Sequence, residues 1–179
     1  MEFINNHKLT VIDLILKNNC KKVAEIGVWK SHLVRNVLRS ECINTVDEYW
    51  AIDQWKVLGK EHGRMSKRSS ENWDDLYFNC CKYMPYFKQL KTLRMTSEKA
   101  SKLFKDEYFD LIFIDASHLY IDVLNDLKYW YPKIKKNGIF CGHDYVIGTR
   151  GRKDVTDALN TFFGENQVDV FPTTVWVKK

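Results

Sequence analysis

Residues 109–145 set the pattern for the rest of the chain. Leu111, Ile112, Phe113 and Ile114 form an uninterrupted apolar run that stops at Asp115. Such a run suits a strand buried on both faces, as in a parallel sheet covered by helices. Tyr120, Val123, Leu124, Leu127 and Trp130 then recur at spacings of three and four, which predicts a helix. Lys135-Lys136-Asn137-Gly138 reads as a basic last turn and a stop. Residues 139–141 read as a second strand, ending at Gly142-His143-Asp144. Strand, helix, strand leaves polar groups at the carboxyl end of both strands, the edge at which open α/β sheets bind ligands. Asp115, His118, His143 and Asp144 are therefore expected to converge on one cleft.

The same alternation organises the flanks. Ile4, Val11, Ile12, Ile15 and Leu16 predict a leading helix over 3–18, inside a segment bounded at 1–20. Residues 22–26 read as a first strand, and Ser31 as the N-cap of a helix over 33–38. Strand, glycine turn and helix bring a ligand against exposed backbone N–H groups. Residues 49–52 form a second strand stopping at Asp53, close to the spacing at which dinucleotide folds place an acid for ribose hydroxyls. From 54 to 70 the chain is polar, basic and aperiodic, the mark of a lid or flexible loop. A helix over 70–86 capped by Ser70, a strand over 90–95 and a short helix to Phe104 precede the central unit. After it come a Gly/Arg-rich loop at 148–152, a helix over 154–163, and alternating segments 168–171 and 174–177 that predict an antiparallel hairpin. The chain is read as one domain spanning 1–179.

Composition narrows the class. Among 179 residues 45% are hydrophobic and 28% charged, as in an ordinary globular protein. Five cysteines without a C-x-x-C pair read as reduced thiols, so a cytoplasmic protein is expected, with no secretory signal and no membrane segment. The net charge of +5 permits an anionic ligand without demanding nucleic acid, which is not expected as a partner. Only Gly27 of a G-x-G-x-x-G pattern is present after the first strand, which argues against a nicotinamide dinucleotide, and no P-loop motif occurs.

The segments AEIGVWKS (24–31), AIDQW (51–55), FIDASHLY (113–120), KNGIFCGHDY (136–145) and VTDALNTFF (155–163) together resemble the class I S-adenosylmethionine-dependent methyltransferases. More narrowly, the chain is similar to a small-domain family that includes macrolide sugar O-methyltransferases and cephalosporin-hydroxylase-like proteins. The resemblance implies a Rossmann-like α/β fold: a mostly parallel sheet of seven strands, helices on both faces, and an antiparallel C-terminal hairpin. It implies S-adenosylmethionine as cofactor, with Glu25, Gly27 and Ser31 at its methionine part. Asp53 and Gln54 would lie at the ribose, Ser97 beside the adenine, and Asp115 at the cofactor's reactive end. It also implies a divalent cation, Mg²⁺, on Asp115, His143 and Asp144, against the plainer reading that His143 and Asp144 pair with each other at a strand end.

Two positions depart from the family pattern. Ala116-Ser117 stands where Gly-Asp is common, so the usual general base is missing, and either His118, alongside Asp115, is expected to take that role or the metal alone suffices. Ser31 stands where glycine is usual. The expected reaction is methyl transfer to a hydroxyl of a sugar or other small acceptor. A cofactor-binding but inactive module that positions a partner, and an RNA-directed methyltransferase, are the rival readings. Oligomeric state is left open, a homo-oligomer included. His7 is read as lying at a frayed terminus, His32 on a helix face, and Trp55 as packing or an adenine neighbour.

Overall fold

The computed structural model describes residues 6–57, 59, 72–146 and 153–178. Most of the expected 54–70 lid, its Ser70 cap and the 148–152 loop lie outside the described residues. Among the described residues, six α-helices, α1 His7–Lys17, α2 His32–Leu38, α3 Trp73–Cys81, α4 Ser97–Ser101, α5 Tyr120–Trp130 and α6 Asp154–Phe163, accompany seven strands. The strands are β1 Lys22–Ile26, β2 Glu48–Asp53, β3 Leu90–Arg94, β4 Phe109–Ile114, β5 Ile134–Gly142, β6 Val168–Val170 and β7 Trp176–Lys178. They form one sheet in the order β3-β2-β1-β4-β5-β7-β6. The first five run parallel, and β7 and β6 are antiparallel, as the hairpin pattern predicts.

Side-chain alternation along each strand splits the core in two. Val23, Tyr49, Ala51, Leu111, Phe113 and Cys141 face α1, α2 and α3. Ala24, Ile26, Ile52, Ile112, Ile114 and Phe140 face α4, α5 and α6. Both faces of the sheet are thus covered, which is why these strands read as continuous apolar runs. The leading helix belongs to the first layer through Val11 and Ile15, each fully buried and contributing about 1.5–3 kcal/mol. Its N-cap is Asn6, whose side chain accepts from the Lys8 N–H.

Two local expectations are corrected. The α5 helix stops at Trp130, and Lys135–Gly138 do not form its last turn; they lie inside β5. There the register jumps from Phe109↔Ile134 to Leu111↔Ile139, an irregularity accommodated by Asn137 at φ 71. The α3 helix is capped by Asn72, whose side chain accepts from the Asp75 N–H at 3.2 Å.

The parallel ladder continues one residue past the strand ends. Met95 N–H donates to Asp53 C=O at 3.0 Å, Gly27 N–H to Ile52 C=O at 2.9 Å, Asp115 N–H to Ile26 C=O at 2.8 Å and His143 N–H to Ile114 C=O at 3.1 Å. Each bond carries a site residue, so the carboxyl edge is set by the sheet itself. Gly142 holds the last of these in place, because a Cβ there would lie 2.5 Å from both the Ile114 carbonyl and the Trp176 ring. Gly142→Ala is expected to lose about 1–3 kcal/mol in urea unfolding, as for other overpacked sites.

Candidate functional site

The β1–α2 turn determines the local geometry. Gly27 sits at φ 90, and a Cβ on it would lie 2.3 Å from the Asp115 carbonyl, so only glycine lets the β1 and β4 ends approach. Beyond it the backbone turns left-handed at Trp29 (φ 44) and Ser31 (φ 57). That turn points the N–H groups of Val28 and Trp29 at one oxygen of Asp53, each at 2.8 Å. The other oxygen accepts from Trp55 N–H at 2.7 Å. Successive N–H groups in such a turn make an anion-binding concavity, and here the protein's own carboxylate fills it. This agrees with the absence of a pyrophosphate motif.

Two residues in this region, Ser31 and Glu25, depart from their expected roles, and Trp55 takes the packing role of its two expected ones. Ser31 occupies the N-cap position of α2, but its side chain makes no capping bond; it is fully buried, and its left-handed backbone is the conformation that favours glycine. Trp55 is fully buried, donating from its indole to the Trp29 carbonyl at 3.0 Å, so it packs beneath the turn. Glu25 points into the α1–α3 layer and accepts from the Tyr49 hydroxyl at 2.6 Å. It is not among the residues lining the cleft.

A cleft of about 310 Å³ opens along the carboxyl edge. Gly27 and Trp29 after β1, Asp53 and Gln54 after β2, Met95, Thr96 and Ser97 after β3, and Asp115, Ala116 and Ser117 after β4 line it. Gly27, Asp53, Gln54, Ser97 and Asp115 are thereby brought together as the sequence predicts. Ser97 is not free for a ligand: its hydroxyl donates to the buried Asp126 carboxylate and accepts from the Trp130 indole at 2.8 Å. Burial pushes the Asp126 carboxyl up to about 7, with Ser97 pulling the other way. Asp122, Asn125, Asp126 and Tyr129 of α5 complete this wall, and Trp73 and Lys56 the opposite side. Among the described residues the lining carries five acidic side chains, Asp53, Glu98, Asp115, Asp122 and Asp126, and one lysine, in a protein of positive net charge. Spacings of three and four along α5 were the available signal for its polar stripe.

At one end of the cleft Asp115 joins a second cluster. His118 Nε2 lies 3.4 Å from Asp115 Oδ1 and 3.2 Å from Asp144 Oδ2. His143 Nδ1 lies 3.2 Å from Asp144 Oδ1 and 3.8 Å from Asp115 Oδ2, while its Nε2 pairs with the Thr174 hydroxyl at 3.1 Å. Asp144 holds its place with φ 60, a left-handed backbone at a non-glycine residue. Burial works to raise the Asp115 pKa, but His118 and His143 outweigh it and hold the carboxyl well below the usual range. Burial works to lower His143, and Asp115 and Asp144 outweigh it in turn.

His7, expected at a frayed end, lies at the start of α1 with its ring centroid 4.3 Å from that of His143. Burial, with His143 beside it, holds its pKa at about 4, so it is neutral at pH 7. A hydrogen bond of 3.0 Å between Thr10 and Thr173 ties the same helix to the β6–β7 turn. No periodicity marks a lone histidine before a helix as a site residue. His32 is at the start of α2, on an open face beside Arg35.

A parallel α/β sheet with a ligand cleft at its carboxyl edge, a single-glycine turn after β1 and an antiparallel β7 defines the class I methyltransferase architecture. The chain belongs to the methyltransferase-domain family, whose model matches residues 24–145, and so to the S-adenosylmethionine-dependent class. No curated protein matches it significantly. Among solved structures it is similar to the O-methyltransferase NovP, at 17% identity and a TM-score of 0.67, over 98% of this chain and 78% of that one. A caffeoyl-CoA O-methyltransferase-like protein from Staphylococcus aureus aligns at 16% identity and a TM-score of 0.63, covering 97% and 83%. Spermidine synthase from Thermotoga maritima aligns at 17% and 0.54, covering 97% and 57%. Likeness at these identities is a likeness of fold. Among the described residues no helix is long and apolar enough to cross a membrane.

Glu25 offers a test of the buried layer. It is 3% exposed, and burial pushes its carboxyl from the ordinary 4.5 up to about 8. A folded-state value above the unfolded one contributes stability that is present at acid pH and lost as pH climbs through about 8. Glutamine keeps the acceptor for Tyr49 without the charge. Glu25→Gln is therefore expected to melt several degrees above wild type at pH 9, at roughly 2–4 °C per kcal/mol for a chain of this size. The gap should close toward pH 5, and a constant gap across pH would overturn the assignment.

Proposed function

We propose that the chain transfers the methyl group of S-adenosylmethionine to a hydroxyl oxygen of a small acceptor such as a sugar. The observation that carries this is the double placement of Asp115. Its carboxylate lines the acidic cleft and is also the hub of the His118–Asp144–His143 cluster. A sulfonium methyl at that end of the cleft would abut a group of side chains suited to orient a hydroxyl. The acidic lining among the described residues favours a cationic cofactor over a phosphorylated one.

In this reading Gly27 lets the methionine part lie against the β1–α2 turn, which Asp53 keeps rigid from behind. Asp53 and Gln54 face the ribose, and the α5 stripe, with Met95–Ser97, faces the adenine. Asp115 and Asp144 hold His118 through its Nε2–H, which orients the imidazole as the base for the acceptor proton. The S–CH₃ bond breaks as the O–CH₃ bond forms, the sulfonium becomes a neutral thioether, and the hydroxyl proton passes to His118. Because the methyl is already activated, alignment of oxygen, carbon and sulfur supplies most of the rate. Ser117, at the family's usual base position, donates instead to Asp122 at 2.6 Å.

The family resemblance calls for Mg²⁺ on Asp115, His143 and Asp144. Mg²⁺ is bound through oxygens in near-ideal octahedra, and one of these three donors is an imidazole. The set does not fit Mg²⁺, and the transfer above is derived without it.

Calorimetric titration with S-adenosylmethionine and S-adenosylhomocysteine tests the cofactor. Wild type should bind both, and Asp53→Asn, which weakens the acceptor holding the turn, should bind at least about tenfold more weakly, a loss of 1.4 kcal/mol. Thermal melts check that the variant folds. Turnover against a panel of hydroxylated small molecules should then fall in His118→Ala with cofactor affinity kept. Cofactor binding without turnover of any acceptor would favour the inactive module. No binding by folded wild type would end the methyltransferase reading.

A further inference from the structure

The anion-binding turn after β1 is already filled. The N–H groups of Val28 and Trp29 both go to Asp53, so neither is open to an anion brought by a ligand. A methionine-type ligand lying against this turn carries a carboxylate that must find donors elsewhere, because a charge held in a cleft without partners is costly. The α5 wall, which brings Asp122 and Asp126, has the wrong sign for it.

The opposite wall holds an unused donor. Trp73, the first residue of α3, lines the cleft and is 8% exposed, yet its buried indole N–H finds no acceptor among the described residues. Indole can donate but not accept, and a buried donor left unmade is a standing cost that a ligand oxygen would remove. Packing places this donor at the turn end of the cleft. Tyr77 lies one helical turn beyond Trp73 with its ring 5.1 Å from that of Trp55, and the Trp55 indole is bonded to the Trp29 carbonyl. Lys56, next in the chain after Trp55, brings an ammonium to the same wall. Asp74 and Asp75 share the first turn of α3 but do not line the cleft, and Asp74 pairs with Arg94 at 2.6 Å.

We infer that the Trp73 indole, with the Lys56 ammonium, binds the carboxylate of the cofactor's methionine part, and so selects nucleosides that carry an intact amino acid over decarboxylated ones. The inference rests on the reading of the cleft as a site for S-adenosylmethionine. The nitrogen lies beneath the cleft surface, so the bond forms as the ring turns toward the ligand. There, shielded from water, a hydrogen bond to a charged oxygen is strong. Lys56 is exposed, and its attraction is screened by salt.

Calorimetric titration of the full-length protein compares S-adenosylhomocysteine with its decarboxylated analogue, in which an aminopropyl chain replaces the amino-acid part. Wild type should bind S-adenosylhomocysteine at least about tenfold more tightly, the scale of one hydrogen bond to a charged group. Trp73→Phe, which keeps a ring and removes the N–H, should lose most of that ratio by weakening the carboxylate-bearing ligand alone. Lys56→Gln should shrink the ratio less and make it less sensitive to salt. In nitrogen–proton NMR spectra of wild type, the indole signal missing from Trp73→Phe should move downfield with S-adenosylhomocysteine and stay in place with the analogue. Equal affinity of wild type for the two ligands, equal weakening of both in Trp73→Phe, or an unmoved indole signal would each overturn the assignment and leave the methyltransferase reading standing. If folded wild type bound neither ligand, that reading would fail and take this inference with it.

Discussion

One carboxylate against three backbone amides underlies the geometry of the cleft. Asp53 leaves the sheet at the end of β2 and satisfies the N–H groups of Val28, Trp29 and Trp55. A turn with two left-handed non-glycine residues is strained, at about 1–3 kcal/mol for each, and it persists because something over-determines it. Asp53 does so from one side, and the Trp55 indole on the Trp29 carbonyl from beneath. Arg94 extends the brace, donating to the Trp55 carbonyl at 2.7 Å while it pairs with Asp74 of α3. The cofactor end of the cleft is in this sense a rigid cast, made before any ligand arrives.

The opposite end is built by charge. Asp115, Asp144, His118 and His143 sit within a few ångströms of one another, and the raised His143 and depressed Asp115 are two views of one interaction. His7 departs from that pattern: the same neighbourhood and its own burial keep it uncharged. A neutral His7 ring packs against His143 without adding positive charge to the cluster, so the first turn of α1 can close over it.

Much of this was legible in the chain. The apolar runs ending at Asp53, Asp115 and His143 placed the strands and their carboxyl edge, because a doubly covered parallel sheet demands such runs and a ligand edge needs polar ends. What escaped was what periodicity does not encode. Lys135–Gly138 look like a helix stop, yet a bulge in β5 absorbs them. Ser97 looks available, yet Asp126 and Trp130 claim its hydroxyl, a contact made across helices 29 and 33 residues on. Ser31 looks like a cap, yet its backbone hand, invisible in the sequence, turns the side chain inward.

The position of α1 has a wider implication. The family model begins at Ala24, after this helix, yet α1 reaches the cluster through His7 and the β6–β7 turn through Thr10. It is held to the sheet by side-chain packing, through Val11, Ile12 and Ile15 and the stacking of His7 on Phe113. A segment attached in this way is an interchangeable part: it can be rebuilt without disturbing strand order, register or the cofactor cast. Diversification of what the open end accommodates then needs no change in the catalytic sheet, only a different cover laid over it.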